Sequence, residues 1–177
     1  MEDIEVPTEH LHEGIHEKAE EGKDRWSMYL AISTAMMAVF AALASLMAGH
    51  HSNEALIEQI KASDQWAYYQ AKGIKYEITQ SILLNSTGKS TESLAEINNK
   101  QAKYKTEQEA IKEKAQEAEK ESKLHLDKHV TFARSVTSFQ IAIAVSAIAI
   151  LARKKFLWYF GLVLSVIGAV LFAMGFL

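Results

Sequence analysis

The chain has 177 residues, no Cys and a formal net charge of −3. The missing Cys excludes disulfides, thiolate metal sites and cysteine nucleophiles, and the slightly negative charge gives no basic surface for nucleic acid. The mean hydropathy of −0.06 hides apolar ends around a polar middle, so we expect a membrane protein with no nucleic-acid partner.

Residues 1–25 form a polar amphipathic segment that begins with acidic residues. A secretory signal peptide begins with basic residues and has a shorter apolar run than the one that starts at Trp26, so we expect this run to remain as a membrane anchor. The segment contains one Glu-x-x-His pair, Glu13 and His16. A di-iron carboxylate bundle requires two such pairs, so the sequence excludes that cofactor.

Three uncharged stretches, residues 26–48, 136–152 and 156–177, are predicted to be transmembrane helices. A helix rises by about 1.5 Å per residue, so roughly twenty apolar residues cross a hydrocarbon core of about 30 Å. The first and third stretches have this length. The second is shorter and is extended into the membrane interface by the residues before it.

The orientation follows from basic residues in short loops. Residues 153–155 are all basic and join the second and third spans, and further basic residues precede the first span. Such residues stay in the cytoplasm. We therefore expect a multi-pass protein of the bacterial inner membrane, with a cytoplasmic N-terminus and residues 49–135 in the periplasm.

Residues 49–135 are predicted to form a hairpin of two long helices. The run Asn-Ser-Thr-Gly-Lys at residues 85–89 is a turn signal, and the segments on both sides consist mostly of good helix formers. The predicted fold class is an all-α integral membrane protein with three transmembrane helices and a long antiparallel coiled-coil hairpin between the first and second.

Each helix of the hairpin has apolar residues at steps of three and four, which is typical of a coiled-coil seam. The predicted first seam contains Ile57, Ile60, Asp64, Ala67, Ala71, Ile74 and Ile78. The second contains Leu94, Ile97, Gln101, Tyr104, Gln108, Ile111, Ala115, Ala118, Ser122, His125, His129 and Phe132, and continues into the second span. Polar positions weaken this seam, so we expect neighbouring protomers to contribute.

Small residues recur every four positions in the last two spans. They are Ser138, Ala142 and Ser146 in the second span, and Gly161, Ser165, Ala169 and Ala173 in the third. Small residues at this spacing allow helix backbones to approach closely in lipid. The predicted helix-packing faces join either the helices of one protomer or two subunits, and the sequence leaves both open.

Four histidines, His50, His51, His125 and His129, are expected to cluster where the hairpin meets the membrane, because folding at the turn brings position 50 opposite position 125. Imidazole binds zinc, copper and nickel, so a transition-metal site is one interpretation. A pH sensor is another, and interfacial histidines without a function are the third. The remaining histidines precede the first span, across the membrane from this group.

Three aromatic residues stand within four positions in the run Asp-Gln-Trp-Ala-Tyr-Tyr-Gln-Ala-Lys, which starts at Asp64. Asp64, Trp66, Tyr68 and Tyr69 form a candidate interaction patch. The alternative is packing, since large aromatic side chains dominate the energetics of helix contacts and interfaces.

This run, placed shortly after a first span, resembles the bacterial membrane-protein family catalogued as domain of unknown function four-three-three-seven. The resemblance covers most of the chain. It implies one span, a charged helical segment, and two further spans joined by a short basic turn. It implies no activity and no functional residue.

The sequence has no Gly-rich phosphate loop, no nucleophile motif and no charged residue inside the spans. We therefore expect a non-enzymatic homo-oligomer with a scaffolding or interaction role and no cofactor. The alternative is an ion- or metal-conducting oligomeric channel, lined by the polar residues of the second seam, with the histidine cluster at the membrane surface. Nothing specific supports a third reading, an enzyme acting on lipids.

Overall fold

The computed structural model describes residues 25–85 and 91–177, and these residues form three α-helices and no strand. Helix α1 is Arg25–Leu84, α2 is Thr91–Ala152 and α3 is Lys155–Met174. The all-helical class is confirmed. The single Pro of the chain lies at position 7, so no helix-breaking residue interrupts these segments. Most of the predicted N-terminal segment and the centre of the predicted turn lie outside the described residues.

Each helix contains a stretch long and apolar enough to cross a membrane. In α1 and α2 the apolar stretch is part of a longer helix that also includes half of the predicted hairpin. The described residues divide into two units, the first made of residues 25–46 and 131–177 and the second of residues 47–85 and 91–130.

The first unit has a core of Met37, Phe139 and Ala142, with Leu162 and Leu164 of α3 packed against it. Ser135 is buried and donates its hydroxyl to the carbonyl oxygen of Gly168 at 2.8 Å. The rings of Phe40 and Phe139 in this unit stack, with their centroids 6.0 Å apart.

Three glycines seven residues apart, two in α3 and one directly after it, form the close contact with α2. They are Gly161, Gly168 and Gly175, and they lie against Ser146, Phe139 and Phe132, which have the same spacing in reverse order. A Cβ atom on Gly168 would lie 3.2 Å from the ring of Phe139, and one on Gly175 would lie 2.5 Å from the ring of Phe132. The two helices therefore approach closely because these positions have no side chain.

The residues of the predicted packing face differ in their burial. Ala142 and Ser146 are buried, Gly161 is buried, and Ser138 and Ser165 are partly buried. Ala169 and Ala173, by contrast, are exposed in the single chain. Residues four apart are slightly more than one helical turn apart, so a series of them moves gradually away from one face of the helix. Residues seven apart stay close to the same face. Because α3 packs along a seven-residue repeat, Gly168 lies at the contact and Ala169 does not.

In the second unit, residue numbers rise along α1 while those of the contacting residues of α2 fall. Ser122 donates its hydroxyl to the carbonyl oxygen of Ala55 at 2.8 Å. Further along α1, the amide nitrogen of Gln108 donates to the carbonyl oxygen of Tyr69 at 3.3 Å. Small side chains line much of the contact, including Ala55, Ala62, Ala115 and Ala118.

The predicted seam of α2 is buried or partly buried at every position from Leu94 to Phe132. The predicted seam of α1 is wrong, because all seven of its residues, from Ile57 to Ile78, are exposed. A second heptad register of α1 is buried or partly buried, and it comprises Ala48, His51, Ala55, Glu58, Ala62, Gln65, Tyr69, Lys72, Tyr76, Thr79 and Leu83. This helix has two heptad patterns, and the one that packs within the chain combines small residues such as Ala55 and Ala62 with large ones such as Tyr69 and Lys72.

A tight turn joins α2 to α3. Arg153 has a φ of 52°, in the left-handed region. The backbone N–H of Arg153 donates to the carbonyl of Ile150, and that of Lys154 donates to the carbonyl of Ala149, both at 3.2 Å. This is the Schellman pattern that ends many helices, with arginine at the position that glycine usually occupies.

Candidate functional site

The histidines of the second unit come together in part. His51 of α1 and His125 of α2 approach with their Nδ1 atoms 2.9 Å apart. One Nδ1 must carry a proton and the other must accept it, so the hydrogen bond exists only while at least one of the two rings is neutral. Both rings are partly buried in the helix contact.

The other two histidines have different surroundings. His129 donates its Nδ1 proton to the carbonyl oxygen of Ala48 at 2.8 Å, because a carbonyl can only accept. This bond fixes the tautomer of the neutral ring, with the proton on Nδ1 and none on Nε2. His50 is exposed, and its ring centroid lies 5.3 Å from that of His51.

The surroundings of His51 favour its neutral form. Burial is the main cause that lowers the pKa of His51, and the positive charge of protonated His125 adds to it. His50 and Lys128 lower the pKa of His51 further, whereas Glu54 raises it. The pair is therefore a hydrogen-bonded contact that acid weakens.

Among residues 25–85 and 91–177, no group of three or more His, Asp or Glu side chains is placed to hold a metal ion. The structure brings together His51 and His125 and gives His129 a backbone partner instead. The transition-metal site of His50, His51, His125 and His129 stays a prediction, and a third ligand would have to move into place. The N-terminal histidines lie outside the described residues.

The aromatic run divides between two environments. Trp66 donates its indole N–H to the carboxylate of Glu119 on α2 at 2.7 Å, and its ring meets that of Tyr69 edge to face at 5.5 Å. Tyr68 is half exposed and Asp64 is exposed. Trp66 and Tyr69 thus pack α1 on α2, and Asp64 and Tyr68 are the part of the predicted interaction patch that remains on the surface.

Lys72 ties the end of this run to α2. Its ammonium pairs with the carboxylate of Glu107 and lies 5.2 Å from the ring centroid of Tyr68 and 5.5 Å from that of Tyr104. The hydrogen bond between Lys72 and Glu107 raises the pKa of Lys72 and lowers the pKa of Glu107. Sequence reasoning missed this pair, although a lysine in a heptad seam is a known device for fixing register.

The seven-residue glycine repeat of α3 was also missed, and it was readable in the sequence. Gly161, Gly168 and Gly175 are all the glycines after the basic turn. The sequence does not indicate that Glu119 and Glu107 are the partners of Trp66 and Lys72, because α2 has many other Glu residues that could reach α1 equally well.

One comparison identifies the family of this chain. A family model described as Domain of unknown function (DUF4337) matches residues 26–177. The chain belongs to this family, as its aromatic run and layout indicated. No curated protein and no solved structure matches it.

Proposed function

We propose that this member of a family without an assigned activity is a non-enzymatic membrane protein that assembles as a homo-oligomer and has a scaffolding or interaction role. Its three apolar helices would span the bacterial inner membrane. The paired parts of α1 and α2 in the second unit would form an antiparallel coiled-coil hairpin in the periplasm.

Exposed apolar side chains of the first unit support the membrane assignment. They include Val39 and Leu46 on α1, Ile148 on α2, and Val163 and Val166 on α3, each more than half exposed. Such side chains occur on all three helices, and soluble proteins rarely expose large contiguous apolar surface. Lipid would cover them at no cost in hydration, since acyl chains are as apolar as these side chains.

The order of contacts supports the hairpin. Ala55, Trp66 and Tyr69 of α1 contact Ser122, Glu119 and Gln108 of α2, in that order. Residue numbers rise along one helix while they fall along the other, as expected for antiparallel partners joined by a short turn.

One observation carries the proposal of a homo-oligomer, namely the exposed heptad stripe of α1. It comprises Ile57, Ile60, Asp64, Ala67, Ala71, Ile74 and Ile78. The four isoleucines are between 44% and 61% exposed. The stripe lies in the second unit, outside the predicted spans, so lipid does not cover it.

A second copy of α1 is the partner that fits this stripe. Heptad spacing over 22 residues matches a long helix, packed side by side over about 33 Å. Copies in one membrane have the same orientation and depth, so their stripes meet in register. Asp64 is the single charge in the stripe, and a polar residue at such a position selects one register at a cost in stability.

The channel alternative gains no specific support. Several of its predicted lining residues contact other residues of the same chain, since Gln108 and Ser122 donate hydrogen bonds to backbone carbonyls of α1 and Ser146 packs against Gly161. His125 and His129 likewise bond to α1. A path between copies would have to be lined by other residues.

The experiment is the mass of the full chain in nanodiscs, measured for the wild type and for Ile60→Asp with Ile74→Asp. We expect a defined oligomer for the wild type and a shift towards the monomer for the double variant, because charges would replace apolar contacts. Leu124→Asp is the matched control, since Leu124 is 49% exposed on α2 and lies outside the stripe. A monomeric wild type, or an oligomer that resists the double substitution, would contradict the proposal.

A further inference from the structure

The end of the first unit where α1 begins and α2 meets α3 concentrates positive charge. Arg25 opens α1, and Arg153, Lys154 and Lys155 form the turn, all four exposed. Within the described part of the chain, no salt bridge is formed by any of them. We call these four residues the basic cluster.

A contact between helices brings the two parts of the basic cluster to one place. The ammonium of Lys155 lies 5.9 Å from the ring centroid of Trp26, the residue that follows Arg25. A second contact fixes the same helix ends, since the indole N–H of Trp158 donates to the hydroxyl of Ser33 at 3.1 Å. The charges at the start of α1 and at the start of α3 are therefore neighbours.

Trp26 adds a hydrogen-bond donor that has no acceptor. Its indole Nε1 is buried, and the structure gives it no hydrogen-bond partner. An indole N–H can only donate, and leaving it unpaired away from water is unfavourable. An acceptor of negative charge next to Lys155 would satisfy it.

The backbone at Arg153 gives an independent indication. Arginine occupies the left-handed position at the end of α2, where glycine would be free of strain. Strained non-glycine residues persist where the side chain has a use. The side chain that is retained here carries a delocalised cation, which matches the geometry of a phosphate group.

We propose that the basic cluster, together with the indole N–H of Trp26, binds the phosphate group of an anionic phospholipid. Arg153 and Lys155 would contact the phosphate oxygens, and Arg25 would add long-range attraction. Aromatic residues at this end, Trp158 and Tyr159 among them, have the amphipathic character that suits the headgroup level. Basic pockets between spans bind acidic headgroups in the same way. This inference rests on the proposed membrane insertion.

The test uses the full chain with Trp66→Phe, which leaves Trp26 and Trp158 as the only tryptophans. Fluorescence is measured in vesicles that mix phosphatidylglycerol with phosphatidylcholine, with bromine on the acyl chains of one lipid or the other. Bromine quenches nearby tryptophan, so the two quenching curves give the relative affinity for the acidic lipid. We expect stronger quenching by brominated phosphatidylglycerol.

Substitutions assign the preference to named residues. Arg153→Gln and Lys155→Gln are each expected to lower the relative affinity for phosphatidylglycerol by roughly two- to fivefold. Lys120→Gln, an exposed lysine of the second unit, is the charge-matched control and should leave it unchanged. Arg153→Gly should lower the preference while it raises the thermal midpoint, because glycine removes the strain.

The outcomes separate the two proposals. If neither brominated lipid quenches the tryptophans, both the membrane assignment and this inference are overturned. Equal quenching by both lipids, or an unchanged preference in Arg153→Gln and Lys155→Gln, would overturn the lipid site alone. Inorganic phosphate at matched ionic strength should have no effect, and loss of the preference in phosphate would assign the site to the free ion and overturn the inference.

Discussion

The contact between His51 and His125 depends on a proton that two nitrogens share. Either ring alone in water takes up a second proton near pH 6.5. In the folded chain, protonation of both would remove the only acceptor and place two like charges within 2.9 Å. The same residues that resemble a metal site in the sequence thus act, in the single chain, as a contact between α1 and α2.

His51→Asn is expected to reduce the acid sensitivity of the protein. The pKa of His51 is lowered in the folded state, so its contribution to the free energy of unfolding is complete above about pH 6.5 and is lost as the pH falls through the folded value. Thermal unfolding, followed by circular dichroism in detergent, should show a smaller decrease of the midpoint from pH 7 to pH 5 in the variant. His50→Asn, at an exposed position, should retain most of the wild-type decrease, because His50 contributes less to the lowered pKa of His51 than burial and His125 do. An equal decrease in all three proteins would show that the pair does not titrate with folding.

Gly168→Leu is expected to destabilise the first unit. Even a Cβ atom at this position would lie 3.2 Å from the buried ring of Phe139, and overpacking of this kind costs about 1–3 kcal/mol. Ala169→Leu is the matched control, because Ala169 is exposed. The thermal midpoint in detergent should fall for the first variant and stay within error for the second. If both midpoints fell equally, Ala169 would lie at a contact between copies, as the sequence had left open.

At the level of elements, α2 was predictable and α1 was not. The seam of α2 has one apolar register, from Leu94 through Ile111 to Phe132, and all of it faces inward. Helix α1 has two heptad registers, and the more apolar one, with four isoleucines, is the one that the sequence pattern favours. The helix instead packs through the other register, in which Ala55 and Ala62 are buried and Tyr69 and Lys72 contact α2. The proposed contact with a second copy accounts for the four isoleucines on the exposed side of α1.

Ala62→Leu, compared with Ala67→Leu, is expected to show which register of α1 packs on α2 and which is exposed. Ala62 is fully buried against α2, so the larger side chain should destabilise the second unit by about 1–3 kcal/mol. Ala67→Leu makes the same change on the exposed stripe, and should leave the unfolding of the monomer unchanged while it strengthens the oligomer. Chemical unfolding at two protein concentrations distinguishes these effects. Destabilisation by Ala67→Leu alone would reverse the assignment of the two faces.

At the level of the whole molecule, the surfaces of the two units have different characters. The exposed residues of the first unit are mostly apolar, apart from the basic cluster, and those of the second are mostly charged around one apolar stripe. The first surface suits lipid and the second suits water and another helix. The sequence predicted this division from its blocks of hydropathy, because a run of about twenty apolar residues has few alternatives to a bilayer.

The natural chain has no Cys, so single introduced cysteines report the side of the membrane without a background. Glu109→Cys lies on an exposed position of the second unit, and Lys154→Cys lies in the basic cluster. A membrane-impermeant maleimide added to spheroplasts should label Glu109→Cys, and should label Lys154→Cys only after permeabilisation. The physical reason is the cytoplasmic retention of basic loops. Labelling of the denatured proteins controls for intrinsic reactivity.

Each result of this labelling has a distinct meaning for the assembly. The reverse pattern would place the paired helices of the second unit in the cytoplasm, and the partner of the α1 stripe would then have to be sought there. Labelling of both cysteines before permeabilisation would show that the apolar helices do not span the membrane, and the argument that copies meet in register would fail with it. Only the expected pattern aligns the stripes of neighbouring copies in the periplasm and keeps the basic cluster at the cytoplasmic leaflet, where anionic headgroups attract basic segments.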